Sequence, residues 1–470
     1  MTGCSSSWRP STSPPSGELT GPREGPLTVR RLNQRRLVVT RTNKRWTIVV
    51  LIFLATSINY LDRSVLGVAG PSMMKDLNLS KIEFGVLGSA FFWTYALMQI
   101  PVGVLVDKIG PRAIYAVAIV WWSICSTLTG VVRSFGLLIG VRALMGIGES
   151  PAFPTNVRVI SDWLPSRERG IANGLFTMGI AVGAGLTTPA VAWAVTSFGW
   201  QTAFLVTGLI GLIWAGLWLF HFTNKPKDNR KVNPAELAHI TSEEPATPAG
   251  PAVKVRWGQM LRSKNVWAIL YGLFAQDYLL YLMMTWLPVY LVTERKMTLI
   301  TAGFYSILPW VAASAGALLG GYLSDRMIKN GTPAVRARRA VMAVGMVISL
   351  AVIPAAFVTD ELSAVLLIAA SLAGMMFANG ASWAIVSEIA PAGASGTLAG
   401  MQNFVGNIAG WIAPILTGFI ATVTGTFVSA LVIAGLIGGG AALIYLVFLK
   451  ERNEFTPAPS RTSATEGSLT

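Results

Sequence analysis

Asp62 and Arg63 stand side by side in Asn59-Tyr60-Leu61-Asp62-Arg63, inside a long apolar stretch. A charge at that depth costs about 3 kcal/mol on insertion scales unless it meets a cavity or a partner. Adjacent helical residues point about 100° apart, so the two charges are expected to serve different neighbours. Tyr60 and Arg63 share a face. A second apolar stretch carries Arg142 and Glu149 in Arg142-Ala-Leu-Met-Gly146-Ile-Gly148-Glu149. Two helical turns put both charges on one face, about 10 Å apart along the axis. Gly146 and Gly148 allow a neighbouring helix to pack closely. These four charges sum to zero. A carboxylate ligand bound among them leaves a costly buried negative excess, and protonating one carboxylate restores neutrality. If Arg63 turns to the ligand, the carboxylate it leaves takes up a proton more readily. The chemistry is proton-coupled anion binding. Static ion pairs that tie helices together are the competing reading.

A fifth charge, Asp277 in Gln276-Asp277-Tyr278-Leu-Leu-Tyr281, lies within a later apolar stretch, and no Lys or Arg lies deep in that half of the chain. It is a candidate proton site. The alternatives are a contact for a cationic substrate group, a protonated hydrogen-bond donor, or a neutral packing residue. Gln276 and Tyr281 are candidate ligand contacts beside it. Tyr278, Tyr281, Trp286 and Trp310 suit either stacking on a ring or plain packing.

The elements that must position these residues are membrane helices. The 470 residues are 53% hydrophobic and 13% charged, about half the charge of an average soluble protein. Twelve apolar stretches, each near the length that spans a bilayer, run over 46–68, 84–106, 112–132, 135–157, 169–197, 200–222, 266–292, 300–324, 338–358, 362–386, 395–423 and 426–449. The expected organisation is a disordered cytoplasmic tail (1–44), a six-helix half (45–222), a central cytoplasmic loop (223–264), a second six-helix half (265–449) and a cytoplasmic tail (450–470). The first tail lacks the continuous apolar run of a signal peptide. With the tails and central loop inside, 30 Lys and Arg fall inside and 5 outside, while Arg63 and Arg142 lie within helices. That bias places both termini in the cytoplasm. The net charge of +15 is therefore topological, and no nucleic-acid partner is expected. Cys4 and Cys125 imply no disulfide framework, and His221 and His239 lie at or beyond the sixth stretch, away from the membrane centre. No metal, cofactor or nucleotide motif is present, so a gradient must supply the energy.

The loop Gly103-Val-Leu-Val-Asp107-Lys108-Ile-Gly110-Pro-Arg112 recurs after the eighth stretch as Gly321-Tyr-Leu-Ser-Asp325-Arg326. Parallel repeats of this kind underlie one large transporter fold. The motif resembles the loop signature of the major facilitator superfamily, which implies an all-α membrane protein of two pseudo-symmetric six-helix halves. In that family such loops gate: Asp107 would pair with basic groups or helix ends, and Arg112 with carboxylates. Gly103, Asp325 and Arg326 belong to the same expected gate. A plain topogenic charge cluster is the alternative.

Further runs resemble the anion:cation symporter family of proton-coupled carriers of hexuronates, aldonates, glucarate, tartrate and phthalate. They are Ile58–Arg63, Arg142–Pro154, Asp162–Gly170, Thr285–Leu291 and Gly380–Gly418. The resemblance implies that Arg63 engages the substrate carboxylate. It assigns proton coupling to Asp62 and Glu149, and makes Arg142 the partner of the helix 1 aspartate. Tyr95, Asn403, Ser382 and Trp383 match pocket positions. Two residues depart from the pattern. Ile180 stands near a place commonly held by Gln or Ser, which suggests a less hydroxylated ligand unless Thr177 or Thr187 compensates. Asp277 stands where a neutral residue such as Asn is expected. The reading is a monomeric, bacterial-type inner-membrane symporter of a small organic anion and protons, not an enzyme. Rival readings are an aromatic-acid or dicarboxylate carrier working by exchange or efflux, and, more remotely, a non-transporting sensor.

Overall fold

The computed structural model describes residues 41–242, 257–390 and 394–451. The expectations for the tails, except residues 41–44, 450 and 451, and for the middle of the central loop lie outside them. The described chain is helical, and its apolar helices match the sequence pattern in order. They are α1 (Lys44–Asp76), α2 (Lys81–Ile109), α3 (Pro111–Val131), α4 (Phe135–Glu149, resuming as Ala152–Trp163), α5 (Arg167–Phe198) and α6 (Trp200–His221). Then come α7 (Lys264–Thr293), α8 (Leu299–Lys329), α9 (Ala334–Phe357), α10 (Glu361–Ile389), α11 (Ser395–Val423) and α12 (Val428–Phe448). Ten are long and apolar enough to cross a membrane; α2, bent by 55°, makes an eleventh. The twelfth, α4, is interrupted at Ser150-Pro151, where Pro151 cannot donate a backbone hydrogen bond.

Local chemistry sets the boundaries. Ser80 and Glu83 form a capping box at the start of α2, and Asp360 caps α10. Gly110, at φ +98°, turns the chain between α2 and α3, and Pro111 opens α3. Helix α1 runs to Asp76, so most of the segment expected as the first external loop is helix. In α5 the stretch Val182–Leu186 is a π-turn. The Gly183 carbonyl there accepts from Ser64 Oγ of α1 (3.3 Å) and from Thr187 Oγ1 (2.6 Å).

Two-fold similarity between the halves shows in their frames. The Arg112 guanidinium at the start of α3 donates to the Leu219 carbonyl in the last turn of α6 (2.7 Å). Arg339, near the start of α9, donates to the Leu449 carbonyl just past α12 (3.0 Å). Each half ties its third helix to its sixth in the same way.

The halves touch mainly at the end of the bundle away from the central loop. There a Cβ on Gly67 of α1 would lie 2.5 Å from the Met284 carbonyl of α7. Trp286 Nε1 of α7 donates to the Pro414 carbonyl of α11 (3.1 Å), against which Gly85 of α2 packs. Lys81 Nζ of α2 donates to the Ala421 carbonyl of α11 (3.2 Å), and Thr188 Oγ1 of α5 to the Gly303 carbonyl of α8 (3.1 Å). At the central-loop end the halves part around a cavity of about 510 Å³, lined among others by Gln99, Gly103, Asp107, Arg158, Trp383 and Asn403. The structure is thus open toward the central-loop face and sealed at the other. A thiol at Gly400→Cys, on the cavity wall, should react with a maleimide faster than one at buried Thr285→Cys in a background lacking Cys4 and Cys125. The expected ratio is at least about tenfold, which ~1.4 kcal/mol of opening free energy already produces; mass spectrometry of timed aliquots measures it.

Candidate functional site

The site is assembled where α1, α2 and α4 meet. Helix α4 approaches α2 because Gly146 sits directly against the Phe91 carbonyl, and Thr94 Oγ1 donates to the Ala143 carbonyl (2.5 Å). That approach places Glu149 beside Arg63. Arg63 Nε donates to Glu149 Oε2 at 2.8 Å, with both side chains buried. Three rings surround the guanidinium: Tyr60 at 5.0 Å, Phe91 at 4.6 Å and Tyr95 at 4.6 Å from carbon to ring centre. Such rings replace part of the lost hydration of a buried cation.

Asp62 points elsewhere, as the angle between adjacent helical residues requires. Its Oδ1 accepts from Ser126 Oγ of α3 (2.9 Å), which also contacts Thr207 Oγ1 of α6 (3.0 Å). The expected partnership with Arg142 is not a direct contact here. Arg142 Nη1 faces Met145 Sδ at 3.4 Å, its guanidinium lies 5.8 Å from the Phe91 ring centre, and it forms no ion pair among the described residues. Four buried polar atoms around these charges have no hydrogen-bond partner among the described residues: Asp62 Oδ2, Glu149 Oε1, Arg142 Nε and Asn59 Nδ2. The cluster therefore holds unused acceptor capacity on both carboxylates.

The second half contributes amides, hydroxyls and rings. Asn403 of α11 bonds Gln99 of α2 across the two halves. Asn407 Nδ2 donates to the Asn403 carbonyl (2.8 Å), and Tyr281 OH donates to Asn407 Oδ1 (3.3 Å). Tyr281 lies 4.2 Å from Phe92, ring to ring. A chain of side chains thus runs from the open cavity at Gln99 toward the rings that surround Arg63. Trp383 and Asn403 line the cavity.

Gln276 and Ser382, expected as ligand contacts, are instead fully buried. Gln276 Nε2 contacts Ser382 Oγ (3.3 Å) and Tyr445 OH (3.1 Å), and Asn379 Nδ2 donates to Gln276 Oε1 (3.2 Å). Gln402 Nε2 joins through the Ser382 carbonyl (3.1 Å). These buried groups bond one another, apart from Gln402 Oε1, which has no hydrogen-bond partner among the described residues. Thr177 and Thr187 do not compensate for Ile180, because both hydroxyls bond carbonyls of their own helix. Trp286 and Trp310 pack at the sealed end, Trp310 against Gly185. Asp277 is part-buried, its Oδ2 lies against Gly406 of α11, and it has no hydrogen bond or ion pair among the described residues.

The expected gating residues divide. Gly103 and Asp107 line the cavity, and Asp107 pairs with Arg158 (2.9 Å), itself bonded to Asp162 (2.8 Å). Arg112 meets no carboxylate among the described residues; its charge closes the exposed carbonyl end of α6 within its own half. Asp325 is exposed and makes no ion pair among the described residues, and Arg326 bonds Tyr322 OH (2.8 Å).

Sequence reasoning did not single out Phe91, Ser126, Gln99 or Asn407 as site residues. Gln99, two residues before Pro101, is an amide in an apolar helix, which was the available signal. Ser126 carried none, because a hydroxyl can satisfy itself on its own helix. Ser126→Ala should remove a hydrogen bond from buried Asp62 and lower stability by about 1–3 kcal/mol, read as a drop in the thermal unfolding midpoint in detergent.

A family model described as Major Facilitator Superfamily matches residues 52–414. The chain is similar to a probable galactarate/D-glucarate transporter of Bacillus subtilis (35% identical, covering 87% of this chain and 92% of the relative). It is also similar to a D-galactonate transporter of Escherichia coli (34%, 86% and 96%) and to a hexuronate transporter of Bacillus subtilis (32%, 86% and 94%). Among solved structures it is similar to a bacterial homologue of the human lysosomal transporter Spinster in an inward-facing, unoccupied conformation (TM-score 0.71, 19% identical, covering 89% of this chain and 100% of that one). A D-xylose-proton symporter also shares the fold (TM-score 0.67, 15%, 88% and 99%).

Proposed function

The chain belongs to the major facilitator superfamily, among its anion:cation symporter-type carriers, and from that premise we propose that it imports a sugar acid or related carboxylate together with protons. It is a multi-pass membrane transporter rather than an enzyme. The curated relatives named for galactarate, galactonate and hexuronate support the sugar-acid class.

The observation that carries the reading is the buried Arg63–Glu149 pair. Arg63 is the cation best placed for an incoming carboxylate, being held among three rings and reached through the Gln99–Asn403–Asn407–Tyr281 chain. When Arg63 turns to the ligand, Glu149 loses its ion-pair partner in a buried setting. An isolated buried carboxylate is expensive, so Glu149 takes a proton. Asp62, bonded to a hydroxyl and to no cation among the described residues, is the second proton acceptor, and Arg142 lends both carboxylates a nearby positive charge. Occupied and protonated, the site is neutral again and the halves can rock about it. The bias of Lys and Arg supports a cytoplasmic central-loop face and an inner-membrane location. The present conformation then faces inward. Closing that face would bring the Asp107–Arg158 pair and the Asp325–Arg326 loop toward the opposite half as its gate.

In proteoliposomes, accumulation of the substrate should rise as the outside is made more acidic than the inside and vanish when the proton gradient is collapsed. Accumulation indifferent to the gradient would remove proton coupling. Arg63→Ala should weaken carboxylate binding by about 2–5 kcal/mol, the cost of breaking a buried charge pair. Glu149→Gln should keep substrate exchange while losing gradient-driven accumulation.

A further inference from the structure

Asp277 is the charge that proton-coupled anion binding at Arg63 leaves unused. It lies within α7, part-buried, with its carboxylate against Gly406 of α11. A side chain at position 406 would strike it, so the glycine makes its room. No hydrogen bond or ion pair reaches it from the described residues, and every Lys and Arg of the second half lies toward a helix end or in a loop. Its setting is otherwise aromatic and amphipathic. Tyr281, one helical turn along α7 from Asp277, packs against Phe92 of α2 (4.2 Å between ring centres), and Tyr60 of α1 lies 5.0 Å from the Arg63 guanidinium. Rings thus run from the Arg63 guanidinium through Phe91 and Phe92 to Tyr281, one turn from Asp277.

We propose that Asp277 reads a positively charged group at the far end of the substrate, and that the ligand is an amino-substituted sugar acid: one carboxylate for Arg63 and a protonated amine for Asp277. This narrows the substrate class and rests on the reading that Arg63 takes the ligand carboxylate. Charge balance favours such a ligand over the alternatives. Asp62, Arg63, Arg142 and Glu149 sum to zero, so Asp277 leaves the empty site with one excess negative charge. With the proton that Glu149 takes up, a zwitterion brings the total to zero and supplies the partner Asp277 lacks. A monocarboxylate then leaves one excess negative charge, and a dicarboxylate two, beside a carboxylate with no counterion among the described residues. Ile180, and the Thr177 and Thr187 hydroxyls spent on their own helix, provide little to read a fully hydroxylated chain.

The test is a titration of the purified full-length protein with three six-carbon acids that differ only at the terminal carbon: gluconate (hydroxyl), 6-amino-6-deoxygluconate (ammonium) and glucarate (carboxylate). Calorimetry should rank the ammonium compound at least about tenfold tighter than the hydroxyl compound, with the dicarboxylate weakest. In Asp277→Asn the order should invert: the ammonium compound weakens, the other two tighten, and their binding shows that the variant is folded. A flat series, a preference for glucarate or no binding by the wild type overturns the proposal. So does an ammonium preference that survives Asp277→Asn. Arg63→Ala separates the two readings. If it binds all three acids as well as the wild type does, the anion site assigned to Arg63 fails. If all three need Arg63 and the series is flat, only the role of Asp277 fails.

Discussion

A guanidinium sealed among helices must be neutralised close by, and the Arg63–Glu149 contact meets that demand. A buried charge left alone costs far more than the pair repays, so both partners and everything that holds them are constrained together. Gly146 is against Phe91 because a larger residue would push α4 off α2 and separate the pair. Phe91 in turn stacks with Tyr95 (5.2 Å between ring centres), and both face the guanidinium. The interruption of α4 at Ser150-Pro151 follows immediately after Glu149. The pair is also the part of the site that a competing carboxylate would disturb first. An ion pair that is neutral only while intact is a natural place to couple anion entry to proton entry.

The halves share a frame and differ in contents. Arg112 on Leu219 and Arg339 on Leu449 are matching ties. Inside those frames, the first half carries Asp62, Arg63, Arg142 and Glu149, while the second carries the neutral network of Gln276, Asn379, Ser382, Gln402 and Tyr445. That network is bonded internally and holds its helices together, with Gln402 Oε1 left without a hydrogen-bond partner among the described residues. The first half, with four unpartnered buried polar atoms at the charged cluster, is where binding can change the balance. The gate loops are unequal in the same way: Asp107 is paired with Arg158, and Asp325 is exposed without an ion pair among the described residues.

The fold was legible because membrane helices write themselves as apolar length, and the loop motif appears twice. The contrast between Asp62 and Arg63 was legible from helical geometry alone, and so was the shared face of Arg142 and Glu149; that Glu149 pairs with Arg63 was not. What was not legible depended on distances between helices. Whether Arg142 or Ser126 serves Asp62 turns on how α3 and α4 are rotated, which no spacing within one helix reveals. Gln276 and Ser382 looked like ligand groups because polar residues in apolar helices attract that reading; only their mutual bonds show that they are consumed. Arg112 looked like a gate charge because its motif neighbours read the same way, although its guanidinium closes a helix end.

The central loop bears on the same constraint from a distance. Its short helix Pro234–Ile240 brings Glu236, fully buried, to the first turn of α1. Glu236 accepts from the Lys44 and Arg45 backbone amides (3.1 and 3.0 Å) and from the Arg45 guanidinium (3.2 Å). Those amides begin α1 and have no partners within the helix, so the carboxylate satisfies them and complements the helix dipole. Arg45 also pairs with Glu168 of α5 (2.7 Å), and Glu168 meets His239 of the short helix (2.8 Å). The loop thus fastens the starts of α1 and α5 to each other. Helix α1 carries Asp62 and Arg63, and α5 meets it again at the Ser64–Gly183 contact. Fixed at both places, the two helices must move as one piece, so a rocking of the halves would carry the charged cluster intact and leave its balance to be changed only by what enters it.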